Sequence, residues 1–490
     1  MPIQTHELSP DYATAAELSG ALASRRISAL ELTDRVIARI EAFDSKLNAV
    51  VVRDFERARG AARQADAALA RGERRPLLGI PLVVKESFDV AGLPTTWGAP
   101  AFKDFKPADD AVIVRRIMGA GAIVLGKTNV PLLLGDWQSY NDIYGTTNNP
   151  WHLGRTPGGS SGGSSAALAA GFGPLSLGSD IGGSLRVPAH FCGVYAHKPT
   201  LGLVPLTGHG VPHSIARENG LSVVGPMARS AADLELTIDL IAGPDQDQAG
   251  TAYRLALPQA RHDGLKEFRA IIVDEHPLMP AAADIRAAFD VLAQRLGKAG
   301  VKVSRDPRLL PDLAEAGRLY VKLLWAALSE RWPQDVYDRA RAAAATLDPA
   351  DDSLTAERMR GPAMSHRDWA AADIARIKIQ RQWSALFRDW DAVIFPPMAT
   401  PAYPHDHSPL PARKYDIDGK DYPYLDQMIW AAIATLPGLP ATAVPIALSP
   451  TGLPIGAQIV GPYLEDRTPL ALARLMEREF GGFVPPPGYA

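Results

Sequence analysis

One cysteine, Cys192, is all the thiol that this chain of 490 residues carries, so an internal disulfide is excluded. The opening residues Met1-Pro2-Ile3-Gln4-Thr5-His6-Glu7 lack the charged and apolar regions of a secretory leader. The two absences together point to the cytoplasm. No excess of either charge stands out. Lys and Arg number 51 against 54 Asp and Glu, a net charge of -3, with no basic stripe for nucleic acid and no acidic tail. Long apolar runs are missing too. The longest near the middle, Leu319–Leu328, is too short to span a bilayer and holds Lys322, though it could cover a pocket or touch a membrane surface. No polar stretch is long enough for an interdomain linker and no repeat is evident, so a single domain over residues 1–490 is expected.

The residues present are those of an ordinary globular protein, 47% hydrophobic and 21% charged. Helical spacing dominates from Thr14 to Leu69, inside an N-terminal helical segment of about residues 8–70, and Ser28 with Glu31 forms a capping box. Strands are predicted at Ile80–Lys85 and Ala122–Leu125, with a helix at Ala111–Gly119 between them. Residues 135–164 carry turn chemistry and end in a helix start at Ser164-Ser165-Ala166. Further strands are expected at Pro174–Leu177, Arg269–Asp274, Val301–Val303, Ala392–Pro397 and Ala443–Ile446, with helices at Ala283–Gly300 and over much of 312–388. The alternation predicts an α/β fold, a large mixed β-sheet core flanked by helices on both faces. A Ser/Gly-rich core would occupy about residues 75–245, and a C-terminal sheet with helical cover about 265–490.

Two serines are set in glycine, 24 residues apart: Ser160 in Gly158-Gly159-Ser160-Ser161-Gly162-Gly163 and Ser184 in Asp180-Ile181-Gly182-Gly183-Ser184-Leu185-Arg186. Glycine costs backbone entropy, so its concentration there implies a close approach by something. The second motif follows a predicted strand. Its glycine turn can gather N–H groups just before a hydroxyl, the geometry of an oxyanion hole, although a structural Gly-Gly-Ser turn reads the same way. Serine needs a base to become a nucleophile. Lys85, at the end of Gly79-Ile80-Pro81-Leu82-Val83-Val84, can serve only as a neutral amine. Burial would have to bring its pKa from about 10.4 to about 7, a differential of about 4 to 5 kcal/mol. Strand alternation would turn the neighbouring Glu86 away from that amine. Ser160 lies where its hydroxyl can carry a proton between Ser184 and Lys85 or cap the next helix, a task Ser161 or Ser164 could equally perform.

This combination resembles the amidase signature family. The likeness spans nearly the whole chain, through Gly126-Lys127-Thr128-Asn129, Lys198-Pro199-Thr200, Gly225-Pro226-Met227-Ala228-Arg229-Ser230 and Gly452–Gly461. It implies Ser184 as nucleophile, Ser160 as bridging serine and Lys85 as base, with the backbone N–H groups of Ile181, Gly182, Gly183 and Ser184 as oxyanion hole. It further implies a cis peptide before one of the active serines, and an Asp180 and Arg186 pair holding the turn. No cofactor and no metal are expected. Two departures stand out: Glu86 where aspartate commonly follows the lysine, and Tyr195-Ala196-His197 before Lys198.

The implied reaction is hydrolysis of a carboxylic amide through an acyl-enzyme, on aryl or alkyl amides, with esters and carbamates chemically open to the same site. Leu134, Gly135 and Trp137, with the stretch around Leu323, Leu324 and Trp325, are candidates for an apolar substrate pocket or for core packing. The expected partner is a small-molecule amide, with no nucleic acid and no membrane span; a homodimer is left open. The rival reading is the A-type subunit of glutamyl-tRNA amidotransferase, whose usual stretch the segment Leu201–Val224 does not resemble. Two decoys need structure to dismiss. Gly121–Thr128 spells a phosphate loop, but its middle reads as a strand and no helix start follows. His405-Asp406-His407 suggests a metal, but sits among prolines.

Overall fold

The computed structural model describes residues 10–245 and 249–489, so residues 8 and 9 of the expected N-terminal segment lie outside the described residues. Eleven strands form one sheet: β1 (Val50–Arg53), β2 (Pro81–Lys85), β3 (Ile123–Thr128), β4 (Leu175–Asp180), β5 (Tyr195–Lys198), β6 (Val223–Ala228), β7 (Arg269–Ile272), β8 (Lys302–Ser304), β9 (Ala392–Phe395), β10 (Ala441–Leu448) and β11 (Pro454–Val460). Their order is β1-β3-β2-β4-β6-β5-β10-β11-β9-β7-β8. The pairing is mixed. β3, β2 and β4 are mutually parallel, as are β9, β7 and β8, and antiparallel pairs join the two groups.

Every residue of β2, β3, β4, β6, β9 and β11 is buried. Strands read as near-continuous apolar runs when both faces of a sheet are covered. The cover comes from helices: Gly162–Ala169 packs on β2, β4 and β6, Phe55–Ala70 on β3, and Arg467–Phe480 on β10 and β11. The helix Ala29–Leu47 starts at the predicted capping box, with Glu31 N donating to Ser28 Oγ at 3.1 Å and Ser28 N to Glu31 Oε2 at 2.8 Å.

Four strands were hidden: β5, β6 and β11, where no strand was expected, and β1. β1 lies inside the stretch read as helical, where Val50-Val51-Val52-Arg53 is too short for periodicity to show and gains its ladder only by pairing with β3. In the other direction, the short strand predicted to stop at Leu177 continues to Asp180. The register sets Val84 beside Leu177, so Lys85 and the Ser179-Asp180 end of β4 emerge together at the carboxyl edge of parallel strands. Open α/β sheets hold their ligands at that edge. From Thr156 to Thr200 every residue is buried except Ile181 and Gly182.

Candidate active site

The Lys85 side chain is wholly buried, and its Nζ lies 2.7 Å from Ser160 Oγ and 2.8 Å from Ser179 Oγ. Desolvation brings its pKa down to about 7, against an opposing pull from the Asp180 carboxylate. Glu86 is turned away, as alternation requires. Its carboxylate accepts from Thr96 N at 2.6 Å and Trp97 N at 3.0 Å and faces Lys127.

Ser160 follows a cis peptide, Gly159–Ser160. The glycines before it permit close approach, chiefly to other backbone: a Cβ on Gly158, whose φ is +89°, would lie 2.7 Å from Pro188 Cα, and one on Gly159 would lie 2.4 Å from Asp136 O. The capping expected of Ser161 or Ser164 is not made. Ser161 is the N-cap residue of Gly162–Ala169 but makes no side-chain cap bond; its hydroxyl engages the Ser179 backbone. Ser164 Oγ instead meets Thr128 Oγ1 at 2.7 Å.

Ser184 ends the glycine turn that leaves β4. Its carbonyl accepts from Ser161 N at 3.2 Å, which ties the two serine motifs together. Its hydroxyl makes no hydrogen bond to Ser160 or to any other described residue, so the chain of side-chain contacts runs from Lys85 to Ser160 and stops there. Of the four expected oxyanion donors one is already engaged. Gly183 N donates to Asp180 Oδ1 at 2.9 Å, while the N–H groups of Ile181, Gly182 and Ser184 have no acceptor among the described residues. In this structure the Gly183 N–H is thus taken up by the Asp180 carboxylate.

Asp180 and Arg186 form a buried two-point pair, Nε to Oδ2 at 3.0 Å and Nη2 to Oδ1 at 2.8 Å. Burial alone would raise the Asp180 pKa, but Arg186 first and Lys198 next outweigh it and hold the carboxyl at about 2. Arg186 also donates to Gln458 Oε1 at 2.7 Å, Thr435 Oγ1 at 2.9 Å and Ala431 O at 3.2 Å, which fixes the turn to the helix Ile429–Thr435 and to β11.

Of the pocket candidates Leu134, Gly135 and Trp137 only Trp137 is tied to this turn, donating from Nε1 to Gly182 O at 2.8 Å, while Leu323 and Leu324 are buried in the helix Leu313–Leu328. Leu134 is half-buried and Gly135 exposed at a surface turn. Sequence reasoning missed Ser179, Tyr320 and Arg413. Tyr320, inside the apolar helix Leu313–Leu328, donates its hydroxyl to Ile181 O at 2.8 Å. Arg413 pairs with buried Asp136 at 2.6 Å, and Tyr424 OH donates to the other carboxylate oxygen at 2.7 Å while its ring meets Trp137 edge-on at 5.4 Å. A hydroxyl at Ser179, on the face of β4 that otherwise shows Leu175 and Leu177, was the one available signal.

The decoys dissolve. Residues 123–128 are β3, the next element is only the 3-10 turn Leu132–Leu134, and Lys127 is buried with its Nζ on Thr95 Oγ1 at 2.8 Å and on Pro94 O. His405 contacts Asn148 Oδ1 at 3.0 Å, and His407 stacks on Tyr140. Among the described residues no group of three His, Cys, Asp or Glu is arranged to hold a metal ion. No helix among them is long and apolar enough to cross a membrane.

A profile of the family described as Amidase matches residues 31–470. The chain belongs to the amidase signature family, hydrolases acting on C–N bonds. It is 35% identical over 472 residues to a Mycobacterium bovis protein named as an amidase, AmiB2, covering 95% of this chain and 96% of that one. It is 33% identical over 492 residues to the A-type subunit of the glutamyl-tRNA(Gln) amidotransferase of Anaeromyxobacter sp. (strain K), covering 96% and 97%. Among solved structures, a chain from work on a vestigial protein complex and the origins of an s-triazine catabolic enzyme aligns with a TM-score of 0.79 at 30% identity, over 96% of this chain and all of that one.

Proposed function

We propose that this chain hydrolyses a carboxylic amide through Ser184, Ser160 and Lys85. The observation that carries the reading is the buried Lys85 amine, held near pKa 7 at 2.7 Å from Ser160 Oγ. Neutral Lys85 takes the Ser160 proton as Ser160 takes the proton of Ser184, whose Oγ attacks the carbonyl carbon. The carbonyl electron pair moves onto oxygen, facing the N–H groups of Ile181, Gly182 and Ser184. Collapse breaks the C–N bond, the amine leaves with the proton returned through Ser160, and water frees the acid by the same relay. Substrate binding must rotate the Ser184 hydroxyl toward Ser160, a tightening common between free and loaded active sites.

The pH dependence has a fixed sign. The active amine is deprotonated, so kcat/KM should rise with pH through a midpoint near 7 and level off above it. A pH-rate profile on 4-nitroacetanilide measures this, and a profile flat from pH 5 to 9 would remove Lys85 as base. Aryl and alkyl amides lead as substrates, the aromatic side of the turn, Trp137 against Tyr424, favouring an aryl group; esters and carbamates remain chemically open.

A second reading, the A-type subunit of a glutamyl-tRNA amidotransferase, draws on the near-equal likeness to such proteins. Purified chain assayed without partners distinguishes the two. Turnover of simple amides by the chain alone supports the stand-alone enzyme, and activity that appears only with added partner proteins supports the other.

A further inference from the structure

We propose that the Tyr320 hydroxyl is a positioning residue that sets the oxyanion hole by fixing the peptide plane between Ile181 and Gly182. The inference rests on the amidase reading and adds to it a side chain from a distant helix. In a trans peptide the C=O and the N–H point in opposite directions. Tyr320 OH holds Ile181 O at 2.8 Å, so the N–H of Gly182, at the other end of that peptide, is aimed away from Tyr320 and meets no acceptor among the described residues. The next peptide is gripped at both ends, by Trp137 on Gly182 O at 2.8 Å and by Asp180 on Gly183 N at 2.9 Å. The first is held at one end and open at the other, as is the Gly183–Ser184 peptide, whose carbonyl accepts from Val187 N at 2.7 Å. But only the first is anchored by a side chain from a distant helix, and Ile181 and Gly182 are the only unburied positions of the run from Thr156 to Thr200.

Glycine makes the anchor necessary. A Cβ on Gly182 would meet nothing nearer than Tyr320 OH at 3.6 Å, so no crowding locks this peptide, and glycine flips at little steric cost. A flip would turn the Ile181 carbonyl toward the developing oxyanion in place of a donor. Tyr320 is fully buried, and burial drives its phenol pKa upward, so the hydroxyl remains a donor at every working pH.

The test is Tyr320→Phe, which keeps the ring and removes one oxygen. On 4-nitroacetanilide kcat should fall about 10- to 100-fold with KM changed by less than about threefold, and affinity for phenylboronic acid, which forms a tetrahedral adduct on serine, should weaken by the same factor. The pH midpoint should stay near 7. Unchanged kcat and boronate affinity overturn the inference. So does a loss confined to KM, which marks a substrate contact, or a moved midpoint, which marks an effect through Lys85. Wild-type protein gives a measurement independent of variant folding: hydrogen exchange at the Gly182 amide should slow on boronate binding, and an unchanged rate overturns the inference. Ser184→Ala run alongside separates the two levels. If it retains turnover the amidase reading itself falls, whereas an inactive Ser184→Ala beside a fully active Tyr320→Phe removes only the role of Tyr320.

Discussion

Lys85→Met should lower kcat/KM by about 10^4-fold while making the protein more stable at neutral pH. The kinetic loss follows because no other described side chain contacts Ser160 Oγ with a basic group. The stability gain follows from linkage. The folded pKa is about 7 against an ordinary 10.5, so between those values the unfolded chain binds the proton that the folded chain has lost. Wild-type stability therefore rises with pH across that window, and at pH 7 and below the buried amine carries a penalty of about 4 to 5 kcal/mol. Methionine removes the penalty but leaves the Ser160 and Ser179 hydroxyls unpaired, at about 1 to 1.5 kcal/mol each. The net expectation is a gain of about 2 kcal/mol at pH 7 that shrinks and changes sign toward pH 10.5. Urea unfolding of both proteins across pH 6 to 10.5 measures it, and a gain that does not narrow would show that Lys85 is not the depressed group.

The second large effect is structural. Arg186→Met should cost about 3 to 5 kcal/mol, because it strands a buried carboxylate. Asp180 also accepts from Gly183 N and Leu185 N, so the loss should disorder the turn and carry turnover down with it. The sign is again fixed. With its folded pKa at about 2 against 3.8, Asp180 contributes stability above pH 3.8 that is lost as pH falls through 2. In the variant burial is opposed only by Lys198 and the two backbone N–H groups, so the carboxyl pKa rises, and the deficit relative to wild type is greatest at neutral pH and closes in acid. Arg186→Met combined with Asp180→Asn should recover part of the loss, and a double variant no more stable than the single one contradicts the account.

The serine and glycine motifs could be read directly because their constraint is local: one residue of backbone at Gly158 or Gly159 cannot carry a Cβ. Lys85 was readable only together with those serines, because a lysine closing an apolar strand is by itself most often a solvent-facing charge. The strands β2, β3 and β9 showed themselves through composition, β1 did not, since four residues hold no period. The residues that remained invisible share one property. Tyr320 and Arg413 reach the turn and its neighbouring loop from helix and loop segments more than a hundred residues away, and no spacing in the chain records that meeting. The hold of Asp180 on the Gly183 N–H was invisible for a related reason, that the carboxylate reaches it only through the turn's three-dimensional shape.

The sealed run from Thr156 to Thr200 bears on how such an enzyme can change its diet. With all but two of those positions packed against protein, mutations there are screened first for folding, whatever they would do for a new substrate. On the proposed reading, selection for altered specificity is thereby steered to less buried chain that arrives from elsewhere, such as Leu134 and Gly135 beside Trp137. The chemistry is held fixed while its clientele drifts.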